Sequence, residues 1–259
     1  MSATWLLPVS ALVVLVGGYA AAVGARPATL PRWRPGRTVA WVAGAVLVAA
    51  ALSPPVAGAA QHDHRLHMLQ HLLLGMYAPL GLVLGAPLTA LLGSLPRRRA
   101  RGWVRVLRSR PVHVLSHPAT AAVLSTGGVL VLYLTPLYGW TREHDAVNAL
   151  VLTHLLLAGC LLTWSIAGPD PAPGRPGLAV RTAVLVVSAG THAFLAKLLY
   201  ARAGAGHPGG HDHTGEHAVE AAQQAATWMY YGGDGAELLL AAALFATWYR
   251  LRGRERAAV

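Results

Sequence analysis

His62, His64, His67 and His71 fall within ten residues, with Met68 and Gln70 among them, and the apolar run Leu72 to Leu92 follows at once. Neutral imidazole binds copper or zinc, and a thioether such as Met68 or Met229 tilts a site toward Cu(I). On a helix His67 and His71 are i, i+4 and share one face, with Met68 three residues before His71. Further on, His154 and His192 interrupt apolar runs, and Asp234 sits among Gly232, Gly233 and Gly235 with Glu237 at i+3. Such groups are costly in hydrocarbon and normally face a bundle interior with a partner. The pattern predicts a metal site shared between helices, built from His67, His71, His154, His192 and Asp234. Small residues beside the polar ones (Gly75 and Ala78 below His71, Ser188 and Ala196 around His192) suit a site, and equally an ordinary helix contact. The bland alternative is a set of histidines bonded to hydroxyls or carbonyls of neighbouring helices. A proton relay through Asp234 and Glu237 is a second functional reading. His62, His64, His207, His211, His213 and His217 read as exchangeable capture ligands or as solvated loop. Cys160 and Met76 read as packing residues.

Long apolar segments must position these groups. The 259 residues are 54% hydrophobic and 12% charged, with a mean hydropathy of +0.45, which places the chain among membrane proteins. Hydropathy predicts seven transmembrane helices, at Thr4–Val23, Val39–Val56, His67–Leu92, Ala119–Tyr138, Ala146–Ala167, Val180–Tyr200 and Ala225–Tyr249. Each approaches the ~20 apolar residues that cross ~30 Å of hydrocarbon. Without water for the backbone these segments must be helices, and none alternates with the period of two that a barrel needs. The expected fold is all-α, one polytopic integral-membrane bundle over residues 1–259.

Arginine counting orients it. Of the 21 basic residues, 17 lie after the first, third, fifth and seventh spans: Arg26 to Arg37, Arg97 to Arg110, Arg175 with Arg181, and Arg250 to Arg256. The positive-inside rule puts the N-terminus outside and the C-terminus in the cytoplasm of a bacterial plasma membrane. No Lys or Arg precedes the first span, so a retained helix is expected there, not a signal peptide. The linker from Leu95 to Ser116 mixes arginines with Trp103, Val104, Val106 and Leu107, as an interfacial helix or a basic loop would.

That orientation sorts the histidines as well. Of 13, only His113 and His117 lie on the arginine-rich side. At 1.5 Å per residue, His71, His154, His192 and Asp234 lie roughly 6–14 Å below the outer surface, in one layer. A net charge of +11 is of the kind nucleic-acid binders carry, but its arginines sit in short clusters between apolar runs, as topology signals do. No nucleic-acid partner is expected. The single cysteine, Cys160, allows no intrachain disulfide. No Ser/His/Asp, nucleotide or H-E-x-x-H motif is present, so no enzyme activity is expected. The lone lysine, Lys197, has no buried counter-ion pair in its surroundings that a retinal Schiff base would need.

The run His67-Met68-x-Gln70-His71-Leu72-Leu73-Leu74, followed by Ala78-Pro79-Leu80 and Gly85-Ala86-Pro87, resembles the CtaG family of cytochrome c oxidase assembly proteins. The likeness continues through His117-Pro118, Pro136-Leu137-Tyr138, Asn148 with His154, and Trp164 to Pro171 with its G-x-D-P turn. It resumes at His192-Ala193-Phe194, Gln223-Gln224 and Gly233-Asp234. Relatives usually carry an Asp before the Gln pair, where this chain has Ala222. The resemblance implies a membrane protein needed to assemble caa3-type oxidase, with oxidase subunits as partners and copper handled at the outer face. Haem, held between two facing imidazoles, is the alternative cofactor.

Overall fold

A computed structural model of the protein describes residues 3–205 and 213–257. Every regular element among them is helical. After a short turn at Ala3–Trp5 come α1 (Leu6–Gly24), α2 (Pro35–Ala51), α3 (Pro54–Ala60), α4 (His64–Leu84), α5 (Pro87–Ser94) and α6 (Arg97–Leu107). Then follow α7 (Arg110–Leu115), α8 (Pro118–Leu134), α9 (Leu137–Glu143), α10 (Asp145–Ala167), α11 (Leu178–Ala205) and α12 (His213–Ala257).

Four of these helices (α1, α4, α10 and α11) are long and apolar enough to cross a membrane, and six spans result if the bent pairs α2–α3 and α8–α9 each count as one. The seventh expected stretch lies inside α12, which is 45 residues long but carries Asp234, Glu237, Tyr230 and Tyr231 at its middle. Prolines make the bends. Ser53-Pro54-Pro55 breaks the second expected span by 51°, and Thr135-Pro136 breaks the fourth by 78°, because proline lacks the N–H and excludes helical geometry from the residue before it. The third expected span ends early, at Leu84, where Ala86 takes a left-handed φ of 55° and Pro87 starts α5.

α4 is the axis of the bundle. Of its apolar window 61% is buried, against 11% in α1, 33% in α10 and 28% in α11. It packs on α2, α10 and α12, and glycines let the backbones touch. A Cβ on Gly81 would stand 2.6 Å from Ala40 O and Gly44 N of α2. A Cβ on Gly159 of α10 would collide with the Gly75 carbonyl and lie 2.8 Å from Pro79 Cγ. Small residues at crossings are how helices associate where lipid supplies no hydrophobic drive. α1 is tied on by Tyr19, which donates to Gly85 O at 2.8 Å, and by Trp41 Nε1, which donates to Leu15 O at 2.9 Å.

The two ends of the bundle differ chemically. At one, the turn after α10 reaches across to α5: Asp170 accepts from the Leu88 and Thr89 amides at 2.9 and 2.8 Å and so caps that helix. Burial pushes the Asp170 carboxyl above its ordinary range, against the pull of these hydrogen bonds and of Arg37. Arg175 donates to the Gly168, Trp164 and Asp170 carbonyls, and burial lowers its guanidinium to about 10. The stretch from Leu95 to Ser116, expected as an interfacial helix or a basic loop, forms the two helices α6 and α7, and α6 has no buried residue, with Trp103, Val104 and Val106 exposed among its arginines. At the other end, Arg142 donates to Gln61 O, Arg65 to Gln224, and His64 Nδ1 lies 2.8 Å from the Tyr138 hydroxyl.

Candidate functional site

α4 begins at His64, three residues before the expected start of the span, because Asp63 caps it. The Asp63 carboxylate accepts from the Arg65 amide at 2.8 Å and pairs with its guanidinium at 2.8 Å. These bonds hold the Asp63 carboxyl below its usual range. Within the H-M-x-Q-H run the side chains then divide by face. Gln70 turns toward α2 and donates from Nε2 to Ala51 O at 2.8 Å, satisfying a carbonyl left open where that helix breaks. His67 and His71 turn the other way, toward α8, α11 and α12. His67 stands edge-on to Tyr138 with ring centres 4.8 Å apart, and His71 edge-on to Tyr133 at 6.1 Å.

His71 meets His192 of α11. Their rings are near-parallel, 16° apart in plane, with centres 6.2 Å apart. His192 Nδ1 lies 3.9 Å from Glu237 Oε1 of α12. A Cβ on Gly233 would collide with the His192 ring, so the glycine makes room for the imidazole. His71 and His192 are only 2% and 5% exposed, yet all four ring nitrogens lack a hydrogen-bond partner, as does Ser188 Oγ. A buried polar atom left unpaired costs about 1–3 kcal/mol, so the cluster favours a polar occupant, water or ion, between the rings.

These groups face a cavity of about 50 Å³ between α4, α8, α10, α11 and α12. His71, His192, Glu237, Ser188, Ser125 and Thr126 are among its polar walls. At roughly 10–15 Å³ per water-sized occupant, it holds a few waters or a small ion. Two π-helical turns shape it. Leu73–Tyr77 in α4 contributes Gly75 and Met76, and Val123–Gly127 in α8 contributes Ser125 and Thr126. Inserted π turns shift the register of a helix and recur at functional sites. Outside this cavity, toward the histidine-rich end, a second pocket of about 300 Å³ is lined by His64, His67, Met68, Tyr133, Tyr138 and Arg202.

The five predicted ligands therefore separate. His71 and His192 come together. His67 is buried one turn above, in the outer pocket. Asp234 interacts electrostatically with His192 but is not in the cavity wall. His154 points elsewhere: it is exposed, its Nε2 lies 3.0 Å from Leu124 O, and it packs over Gly128 as a tie between α10 and the π turn of α8. Among the described residues no three His, Cys, Asp or Glu side chains converge as metal ligands. Glu237, not among the expected ligands, is the acid that lies 3.9 Å from His192, with Asp234 acting on the same ring from farther off. Its signal was the i, i+4 relation to Gly233, the glycine that admits the imidazole, whereas Asp234 is rotated about 100° from that face. Met76, read as packing, does pack against the central apolar clusters and also lines the cavity, and Cys160 packs against α2 and α4. His62 and His217 are exposed, the His213 side chain is not described, and His207 and His211 lie outside the described residues.

The chain is 34% identical over 189 residues to an uncharacterized protein of Mycobacterium bovis, a match covering 70% of this chain and 29% of that protein. An uncharacterized protein of Mycobacterium tuberculosis matches with the same figures, and one of Mycobacterium leprae is 32% identical over 196 residues, 73% and 30% of the two chains. The matched part is under a third of the length of these relatives. No solved structure matches. The family described as cytochrome c oxidase caa3 assembly factor matches residues 17–251, and the chain belongs to that family.

Proposed function

We propose that this member of the caa3 assembly-factor family takes a copper ion at its histidine-rich end. It holds the ion between His71 and His192 and releases it to an oxidase subunit. The observation that carries the reading is the pair of buried imidazoles whose ring nitrogens have no partner in a cavity of ion size. Ring centres 6.2 Å apart leave a gap in which one ion reaches both rings at ~2.0–2.1 Å once they turn edge-on. Glu237 acts on His192 through Nδ1. Closing its 3.9 Å gap to Nδ1 fixes the Nδ1–H tautomer and leaves Nε2 for the ion. His67 and Met68 in the outer pocket are the preceding stop, and Asp234 supplies negative potential one turn away. His154 has no part in the site. The histidine-rich end faces out of the cell in this reading, as the arginine distribution predicts. The inner cavity of about 50 Å³ is of ion size, and a porphyrin, which needs a pocket of the ~300 Å³ class or larger, would have to sit in the outer pocket at His64 and His67 instead.

The test is metal content and an optical spectrum of detergent-purified protein loaded with Cu(I). Removing both imidazoles in His71→Ala/His192→Ala is expected to lower copper affinity by at least ~10–100-fold, with Glu237→Gln weaker by part of that factor. His154→Ala is expected to keep its copper. A double variant that loads in full overturns the site, and a Soret band in the purified protein would replace copper by haem. The His192–Glu237 contact also favours a second reading, a proton-coupled transporter. Ion flux in proteoliposomes that is lost on Glu237→Gln or Asp234→Asn, without bound copper, would select it.

A further inference from the structure

At the arginine-rich end an open recess of about 420 Å³ lies between the start of α2, the turn at Pro169 and the last turns of α12. Three guanidiniums line it: Arg34 and Arg37 from one side and Arg250 from the other, over a floor that includes Ala40, Leu84 and Ala243. Among the described residues none of the three has a carboxylate within ion-pair distance. Arg250 Nε donates only to Ala246 O of its own helix. Arg37 lies over the Trp33 ring at 4.9 Å, and Arg26 lies over the same ring at 4.6 Å, which adds a fourth cation to the cluster. Asp170 is the acid that faces Arg37, but its two oxygens are committed to Leu88 and Thr89 of α5. Like charges held together in a concave site repel one another unless an anion occupies it. Beside the arginines the recess has the apolar walls of Ala40, Leu84 and Ala243, so an anion that carries an apolar tail fits both parts of it.

We propose that this recess seats the phosphate headgroup of an anionic phospholipid, with the acyl chains lying along the Ala40–Leu84–Ala243 floor. Basic pockets between membrane helices recognise such headgroups, at about a five-fold gain in affinity per arginine. The full-length protein is purified in detergent, and its unfolding temperature and bound lipid (by native mass spectrometry) are followed on adding phosphatidylglycerol, phosphatidylcholine or inorganic phosphate. Phosphatidylglycerol is expected to bind stoichiometrically and raise the unfolding temperature, while the other two do neither. In Arg34→Gln/Arg37→Gln/Arg250→Gln its affinity is expected to fall on the order of 100-fold. In Arg97→Gln/Arg98→Gln/Arg101→Gln, which removes equal charge from α6, it is expected to persist. If the triple recess variant does not fold, Arg250→Gln alone is expected to lower the affinity about five-fold. Undiminished binding in the recess variants overturns the site. Equal loss in the α6 variant overturns it in favour of unspecific attraction, and an equal shift from inorganic phosphate assigns the recess to a soluble phosphate instead.

Discussion

At the scale of single residues, the H-M-x-Q-H run serves two purposes that its spacing alone does not distinguish. His67 and His71 face the bundle centre, while Gln70, 1% exposed, spends its amide on Ala51 O. Gln70→Leu keeps the volume and leaves that carbonyl unpaired, so it is expected to cost about 1–3 kcal/mol of stability. Thermal unfolding in detergent reads the loss, and copper content is expected to stay as in the parent. The sequence told polar from apolar at each of these positions but not which neighbour each polar group would meet. His154 shows why: its depth matched that of His71 and His192, yet rotation about α10 gives its ring to Leu124 O. Depth follows from counting residues, whereas facing depends on how helices turn against each other. Glu237 and Asp234 differ by three residues and fall on different sides of the same question.

At the scale of elements, four of the seven expected spans are single helices or the core of one, and the others are changed by local chemistry. Prolines at Ser53-Pro54-Pro55 and Thr135-Pro136 bend two of them, a legible signal that hydropathy averaging passes over. The π turns at Leu73–Tyr77 and Val123–Gly127 have no comparable signature, because one extra residue per turn is a result of packing and not of composition. The turn in α4 puts the Gly75 carbonyl against Gly159 of α10, where no side chain fits. Gly159→Ala therefore forces the two helices apart. It is expected to cost about 1–3 kcal/mol and to enlarge the cavity that holds the His71–His192 pair. Denaturation midpoints read the first effect, and weaker copper retention reads the second.

At the scale of the whole molecule, the ends of the bundle are chemically opposed. One gathers Arg26, Arg34, Arg37 and the Asp170 cap, with the basic helix α6 lying outside the packed helices, its apolar side chains uncovered. The other gathers His64, His67 and the tyrosines. Topology can be measured because the chain has one cysteine, and Cys160 lies within the packing of α2 and α4. In a Cys160→Ser background, His62→Cys is expected to react with an impermeant maleimide added to intact cells, and Arg99→Cys only after the membrane is opened. The reverse pattern would invert the bundle and place the histidine-rich pocket inside the cell.

Tyr133 stands between the two compartments. Its ring is edge-on to His67 at 6.2 Å and to His71 at 6.1 Å, and it belongs to the wall of the outer pocket. If the protein transfers copper as proposed, such a partition would govern time more than affinity. On the proposed route an ion passing from His67 to His71 would wait for that ring to move, so the waiting time would rest on a side chain that need bind nothing. Tyr133→Ala is expected to speed loading and unloading together while leaving the saturating copper content unchanged, which stopped-flow mixing with a chromophoric Cu(I) chelator would separate from any change in equilibrium. Unchanged content with faster exchange would assign retention to the histidines and its duration to the tyrosine.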